Sequence, residues 1–414
     1  MKHARPLLLA ASTLALLISA CSQPADIQAP SLEPQFGTAD DDYGAAVALT
    51  TTGQALVLSE QAGAAYDTNG DQRGFYENAL LKRYDSSGKL VSSKTIATQE
   101  CNWNESDCGS DDFEARGLLT DSKGYSYALL SFTYVVDDSQ NIAHHYVNKV
   151  DASGNVVRRV SVGAGGASFD GDQAANDVID AAVDKDGNIY VVHRQFDYDY
   201  DLEGTYANLV TKYSSSGTKL WQRISTVGTP YGVTVSGSGS VYVVGTKGLA
   251  RYTNSGSLTW SKAVDNSRGH LKNAGEVVIS GSNVYTRSVK TIRKYDGSGR
   301  QLWLKTQGGL DTIVVQDMTG DANGNLYLSG KYQASTGNFN AFARKLNSSG
   351  TALWTKTYGT PKYDDARGVA TLGSAVYTTG ETQGSLAHPN RGGPENRDGY
   401  LRKFSSTGSA LWTR

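Results

Sequence analysis

What most constrains this chain is that it repeats itself seven times. A basic residue, an apolar residue and, four positions after the apolar one, a glycine recur around the sequence. The copies are Arg83-Tyr84…Gly88, Lys149-Val150…Gly154, Lys212-Tyr213…Gly217, Arg251-Tyr252…Gly256, Lys294-Tyr295…Gly299, Lys345-Leu346…Gly350 and Lys403-Phe404…Gly408. Asp, Ser, Asn, Thr, Gly or Ala fill the gaps, so each copy reads as a strand entering a tight turn. In five copies a tryptophan follows the glycine by four residues: Trp221, Trp260, Trp303, Trp354 and Trp412. A second element precedes each of these. Its fullest forms are Asp184-Lys-Asp-Gly187-Asn-Ile-Tyr190 and Asp321-Ala-Asn-Gly324-Asn-Leu-Tyr327, with looser copies centred on Leu56, Tyr127, Tyr242, Tyr285 and Tyr377. Turn residues followed by alternating β-branched and aromatic residues make a second hairpin. Each repeat therefore holds four short strands, a to d, and nothing after residue 20 sustains a helical period.

Four-stranded antiparallel repeats of this number fit radial packing into a propeller. The repeats resemble the bacterial β-propeller repeat family, the seven-bladed type in which Asp-x-x-Gly-Asn-x-Tyr precedes a Gly-x-x-x-Trp strand. They are also similar to quinoprotein-type propeller repeats. The resemblance covers roughly residues 36–414, and blades 1 and 2 depart from it with Ser92 and Arg158 at the tryptophan position. It implies an all-β fold, a seven-bladed β-propeller over residues 35–414. Ring closure has its own signal. Ala352-Leu-Trp354-Thr-Lys356 runs on into Thr357-Tyr358-Gly359-Thr360, whereas the chain ends at Ala410-Leu-Trp412-Thr-Arg414. Gln35-Phe36-Gly37-Thr38 looks like the missing continuation, so the ends are expected to meet where blade 7 touches blade 1, protecting the sheet edges.

The N-terminus points to export. Lys2 and Arg5 precede the apolar run Leu7 to Ile18, which is too short to span a bilayer comfortably. Ile18-Ser19-Ala20-Cys21 resembles the lipobox of bacterial lipoproteins. That implies a signal peptide over residues 1–20, lipidation of Cys21, and membrane anchoring in the cell envelope without a spanning helix. Residues 21–34 contain three prolines and read as a tether. Removal of residues 1–20 leaves 37 basic against 41 acidic residues, a net charge of −4, which gives no basic footprint for nucleic acid. Cys101 and Cys108 are then the remaining cysteines. Outside the cytoplasm, two close cysteines in a polar segment read as a local disulfide.

Features that recur in every blade are explained most economically as structure. The tryptophans should pack between neighbouring blades, and the basic residue before each turn should be a solvated or snorkelling position. What does not repeat is the connection between strands b and c. The spacing from the strand-b position to the strand-c glycine runs 32, 27, 27, 14, 14, 23 and 31 residues around the ring. Blades 6, 7, 1, 2 and 3 should therefore wall one face, leaving a notch at blades 4 and 5. Long loops on a rigid scaffold are where binding concentrates.

The candidate ligand residues lie on that face. Phe196, Tyr198 and Tyr200 alternate with acids, so an extended chain puts the rings on one side, where they could stack a sugar or other ligand. Trp103 stands in the Cys101–Cys108 segment. Arg391 and Arg397 could meet an anionic ligand. Two places could hold calcium. Asp67, Asn69 and Asp71 have the alternate spacing that opens a calcium loop, although Gln72 and Asn78 replace its turn glycine and closing glutamate. Asp42, Asp112 and Asp365 precede strand a in three blades and could converge near the axis, or simply cap backbone donors. No cofactor is expected otherwise.

Enzymatic signatures are missing: no His-Glu-x-x-His, no Gly-x-Ser-x-Gly and no phosphate loop. The sequence therefore favours a monomeric, non-enzymatic scaffold that binds a protein or polysaccharide partner. An envelope-assembly scaffold, a quinone-dependent dehydrogenase and a polysaccharide-active enzyme are the alternatives. Fold analogy is a weak warrant for any of them.

Overall fold

In the computed structural model the described residues are 42–66, 72–102, 113–137, 140–164, 176–197, 205–263, 276–288, 291–306, 313–333, 338–386, 389 and 396–414. The turns explain why the repeat folds as it does. Asp184 Oδ1 accepts the amides of Asp186 and Asn188, each at 2.9 Å. Its Oδ2 accepts the Asn188 side-chain amide at 2.9 Å and the Tyr190 hydroxyl at 3.0 Å. Asp321 does the same for Asn323, Asn325 and Tyr327. The Asp-x-x-Gly-Asn-x-Tyr pattern is thus a turn capped by its own aspartate and tied to the first tyrosine of strand b.

The strands form seven four-stranded antiparallel sheets, each paired in chain order a-b-c-d. The blades span residues 42–102, 113–164, 176–224, 230–263, 276–306, 313–358 and 364–413. In blades 1, 2, 3, 4, 6 and 7 strand a carries a bulge against strand b, which falls at Ala45, Arg116, Ile179, Tyr231, Gln316 and Arg367. A bulge adds one unpaired residue and re-aims its side chain.

A second device joins the blades. Tyr190, Lys212 and Trp221 stand in register across strands b, c and d of blade 3. The Lys212 ammonium lies 5.0 Å from the centroid of the Tyr190 ring, within cation–π range. The indole of Trp221 then reaches into blade 4 and donates to the Asn254 carbonyl at 2.9 Å. Trp260, Trp303 and Trp354 repeat this on Gly297, Ser348 and Ser406. The inter-blade packing expected for the tryptophans is therefore what the structure shows. In blades 1 and 2, which lack the tryptophan, Lys94 and Val160 lie against Gly154 and Gly217 instead. Two of the seven basic residues, Arg83 and Lys212, are buried rather than solvated, and the other five are half-buried.

The part of the expected wall that blades 1 and 2 supply is visible in strand length. Strands b and c of blade 1, Ala55–Tyr66 and Gln72–Tyr84, have 12 and 13 residues, and those of blade 2, Ser126–Asp137 and Gln140–Val150, have 12 and 11. Blades 4 and 5 have five-residue strands at the same positions. The long b–c connections of blades 1 and 2 are thus built as antiparallel arms beyond the disc.

Blade 7 supplies its own four strands, so the ring closes without strand exchange. Lys403 Nζ and the Trp412 indole donate to the Ser86 carbonyl at 2.8 and 3.4 Å, and Arg414 Nε donates to Gly88 O at 2.9 Å. The Asp42 amide donates to Arg397 O at 2.7 Å. The ends meet at blades 7 and 1 as expected, while Gln35 to Thr38 lie outside the described residues.

Candidate functional site

Buried charge concentrates in blade 7 beside that seam. Asp365 and Glu381 are direct cross-strand neighbours on strands a and b, and both are buried. Two adjacent buried carboxylates repel and lose hydration, so they persist only with partners. Lys331 Nζ lies 3.4 Å from Asp365 Oδ2. Gln316 Nε2 and the Tyr363 hydroxyl donate to the same oxygen at 3.0 and 3.3 Å. Arg367, at the bulge of strand a, donates to Glu381 Oε1 through Nη2 at 3.0 Å, and Arg397 Nη1 donates to Oε2 at 3.1 Å. The two guanidiniums lie over aromatic rings, Arg367 4.2 Å from the Tyr43 centroid and Arg397 4.9 Å from that of Tyr363. Burial raises the Asp365 carboxyl above the usual range, with the Lys331 charge opposing. Burial pulls Lys331 down, but the Asp365 charge and the Tyr363 hydroxyl outweigh it and hold the amine above its ordinary value. About a third of each arginine side chain remains exposed (34 % and 35 %), so the cluster shows a cationic, aromatic edge to solvent.

A second set of carboxylates reaches strand a of the next blade, from strand a at Asp180, Glu276 and Asp317 and from strand b at Glu60. Asp180 Oδ2 accepts the Val233 amide of blade 4 at 2.8 Å, and Asp317 Oδ2 accepts the Val369 amide of blade 7 at 2.7 Å. Each also accepts the amide of its own following residue at 2.8 Å. Glu276 Oε1 accepts the Met318 amide at 3.0 Å, and Glu60 Oε1 accepts that of Ala115. Burial pushes Glu60 up to about 8 and Asp180 up to about 7, and raises Glu276 well above the ordinary value. The acids expected from the sequence to converge were Asp42, Asp112 and Asp365, of which Asp42 and Asp365 are buried and Asp112 lies outside the described residues; the acids that bridge the blades are a different set. The available signal was that Asp180 and Asp317 stand four residues before the turn aspartates Asp184 and Asp321.

Of the residues singled out from sequence, Arg397, Asp365 and Asp42 come together at the seam. Asp365 is engaged by Lys331, and Asp42 is buried. Phe196 lies in strand b of blade 3, paired with Tyr206, and Cys101 lies in strand d of blade 1, paired with Phe75. Cys21, Asp67, Asn69, Asp71, Trp103, Cys108, Asp112, Tyr198, Tyr200 and Arg391 lie outside the described residues. Among the described residues no three His, Cys, Asp or Glu side chains are grouped so as to hold a metal ion. Ser131 Oγ and His145 Nδ1 are 2.7 Å apart, but both are buried in blade 2 and read as a satisfied core pair.

Seven four-stranded sheets, clamped edge to edge and armed on one face, define a seven-bladed β-propeller. No protein-family model matches the sequence, and no curated protein matches it. Among solved structures the chain is similar to the C-terminal WD40 domain of Sif2, with 8 % identity over 93 % of this chain and 89 % of that one, at a TM-score of 0.47. It is similar to apo AztD from Citrobacter koseri, with 11 % identity over 89 % of this chain and 85 % of that one, at a TM-score of 0.43. It also matches a protein of unknown function from Bacteroides caccae, with 11 % identity over 67 % of this chain and 93 % of that one, at a TM-score of 0.38. The fold assignment rests on the strand order and register described above.

Proposed function

We propose that this protein is an exported binding scaffold, anchored to the cell envelope through lipid on Cys21. In this reading it takes a protein or polysaccharide partner on its armed face and performs no chemistry on it. The observation that carries the proposal is the asymmetry of strand length. Strands b and c of 11 to 13 residues stand up from blades 1 and 2, while blades 4 and 5 have five-residue strands there. A ring needs only the short form to close, so the arms serve something other than the ring. The Arg367–Arg397 edge with Tyr43 and Tyr363 lies on the same face and offers stacking and charge to an incoming group. A Cys101–Cys108 disulfide would tie the end of strand d, which pairs with the outer part of the blade 1 arm, to the connection that follows it.

The test is retention of envelope polysaccharides and envelope proteins on the immobilised protein. It is compared with a variant whose blade 1 arm is cut back to the blade 4 length, and with Tyr198→Ala/Tyr200→Ala. Loss of one specific partner in either variant supports the proposal. Equal retention of every partner by all three proteins overturns it.

A further inference from the structure

We propose that Lys212 and Asn254 form an intramolecular isopeptide bond that ties blade 3 covalently to blade 4. Lys212 Nζ donates to Asn254 Oδ1, so the amine stands beside the oxygen bonded to the amide carbon Cγ. The Asn254 carbonyl oxygen lies 3.4 Å from the same nitrogen and fixes it from a second direction. Asp184 Oδ2 is 4.0 Å from Nζ, and both side chains are nearly closed to solvent, 7 % exposed for Lys212 and 5 % for Asp184. The Tyr190 hydroxyl bridges the remaining two groups, 3.0 Å from Asp184 Oδ2 and 2.9 Å from Asn254 Oδ1. Amine, amide, carboxylate and hydroxyl are thus held together across one blade interface.

The constellation occurs once in the ring. Every repeat has the strand-c cation, but the a–b turn aspartate is present only as Asp121, Asp184 and Asp321. The c–d turn position occupied by Asn254 is Ser86, Ala152, Ser215, Gly297, Ser348 or Ser406 elsewhere. Only the interface of blades 3 and 4 combines a buried amine, a carboxylate and an amide electrophile. A serine or glycine carbonyl would satisfy the cation equally well, as Ser348 O does for Lys294 at 3.0 Å. The side-chain amide is therefore not needed for the hydrogen bonding.

The step balances without any co-reactant. Lys212 passes one ammonium proton to Asp184, and the freed lone pair attacks Cγ of Asn254. The acid now on Asp184 donates to the Tyr190 oxygen, whose own proton points at Oδ1 and supports the developing oxyanion. The Cγ–Nδ2 bond then breaks, Nδ2 takes a second proton from the former lysine nitrogen by way of Asp184, and ammonia leaves. Burial pulls Lys212 below the ordinary lysine range against the opposing charge of Asp184, which favours the uncharged nucleophile. Burial pulls Asp184 up, but its hydrogen bonds from Asn188, Tyr190 and the Asp186 amide leave it below the usual carboxylate value. The first proton transfer is therefore uphill and the reaction slow. It happens once per molecule and ammonia is lost to bulk water, so slow chemistry still runs forward.

Peptide mass spectrometry on the purified full chain reads the bond directly. The expected result is a branched peptide containing residues 212 and 254, lighter than its two parts by one ammonia, with no tryptic cleavage after Lys212. Asp184→Asn, which removes the proton acceptor, and Asn254→Ser, which restores the residue of other blades, should both give the linear peptides alone. Circular dichroism melting of the same samples confirms that they are folded. Linear peptides from the folded wild type overturn the proposal, as does a branched peptide that persists in Asn254→Ser.

Discussion

The indole of Trp412, two residues from the C-terminus, donates to the carbonyl of Ser86 at 3.4 Å and so joins the last blade to the first. The same ring covers Gly88 and stacks edge-on against Tyr377 with centroids 5.8 Å apart. Trp412→Ala removes the two contacts to blade 1 and the one to Tyr377 within blade 7. We expect a loss of about 2 kcal/mol, below the full core value because the ring is half-buried. Urea unfolding measures it. A variant as stable as the wild type would mean the seam is held elsewhere.

The repeat glycine is required for two reasons that can be separated. Gly256 has φ +83°, and a Cβ there would come within 2.8 Å of the Trp221 ring. Gly124 has φ +89° with no neighbour inside 4 Å. Gly124→Ala should therefore cost only the left-handed penalty of about 1 kcal/mol. Gly256→Ala should cost that plus a displaced indole, about 2 to 3 kcal/mol. Equal losses in the two variants would show that the close approach of tryptophan has no energetic weight.

Glu60 gives the ring a pH dependence with a definite sign. Its folded-state value is raised to about 8 by burial, so the folded protein holds a proton there that the unfolded chain releases near its ordinary carboxylate value. The folded state binds more protons between the two values, so this contribution to stability is full below the lower one and falls as pH rises towards 8. Glu60→Gln keeps an acceptor for the Ala115 amide and removes the titration. The wild type should lose about 2 to 4 kcal/mol relative to this variant between about pH 5 and pH 8. Comparing the two proteins at each pH cancels the other buried acids and His193. Parallel stability curves would disprove the assignment.

Glu381 neutralises two arginines at once. Glu381→Ala leaves Arg367 and Arg397 facing each other without their shared carboxylate, and Asp365 then balances only part of the charge. The expected loss is about 2 to 3 kcal/mol, below that of a fully buried pair because water reaches both guanidiniums. Arg397→Ala should cost about 1 kcal/mol, since Arg367 still pairs with the carboxylate. Denaturant midpoints of the two variants check the order, and the reverse order would place the main partner of Glu381 elsewhere.

The fold was legible because it is written seven times over. Turn chemistry such as Asp184-x-x-Gly187-Asn-x-Tyr190 is local, and a local pattern repeated in register leaves little freedom in how the copies pack. The unequal arms were legible too, because chain length between fixed points does not depend on tertiary detail. The charged cluster was not. Lys331, Arg367, Glu381 and Arg397 come from two blades and four strands or connections, and only the cross-strand register of Asp365 with Glu381 brings them together. The bulge at Arg367 turns that side chain from its regular direction, and a register shift of one residue leaves no mark in composition or period. The Lys212–Asn254 pair was hidden differently. Both residues occupy repeat positions, and the lysine at such a position was read as scaffold.

At six of its interfaces the ring has a peptide connection that keeps neighbouring blades at high effective concentration, so a broken contact there re-forms at once. Among the described residues none runs between blades 7 and 1, so these seven blades form in mechanical terms a split washer. Arg367 over Tyr43, Arg397 O on the Asp42 amide and Trp412 on Ser86 are what hold the split shut. Breathing of the disc should begin there, and the cationic aromatic edge lies on the moving lip. A partner that grips that edge would act as a clasp, stiffening the whole ring by closing its one gap.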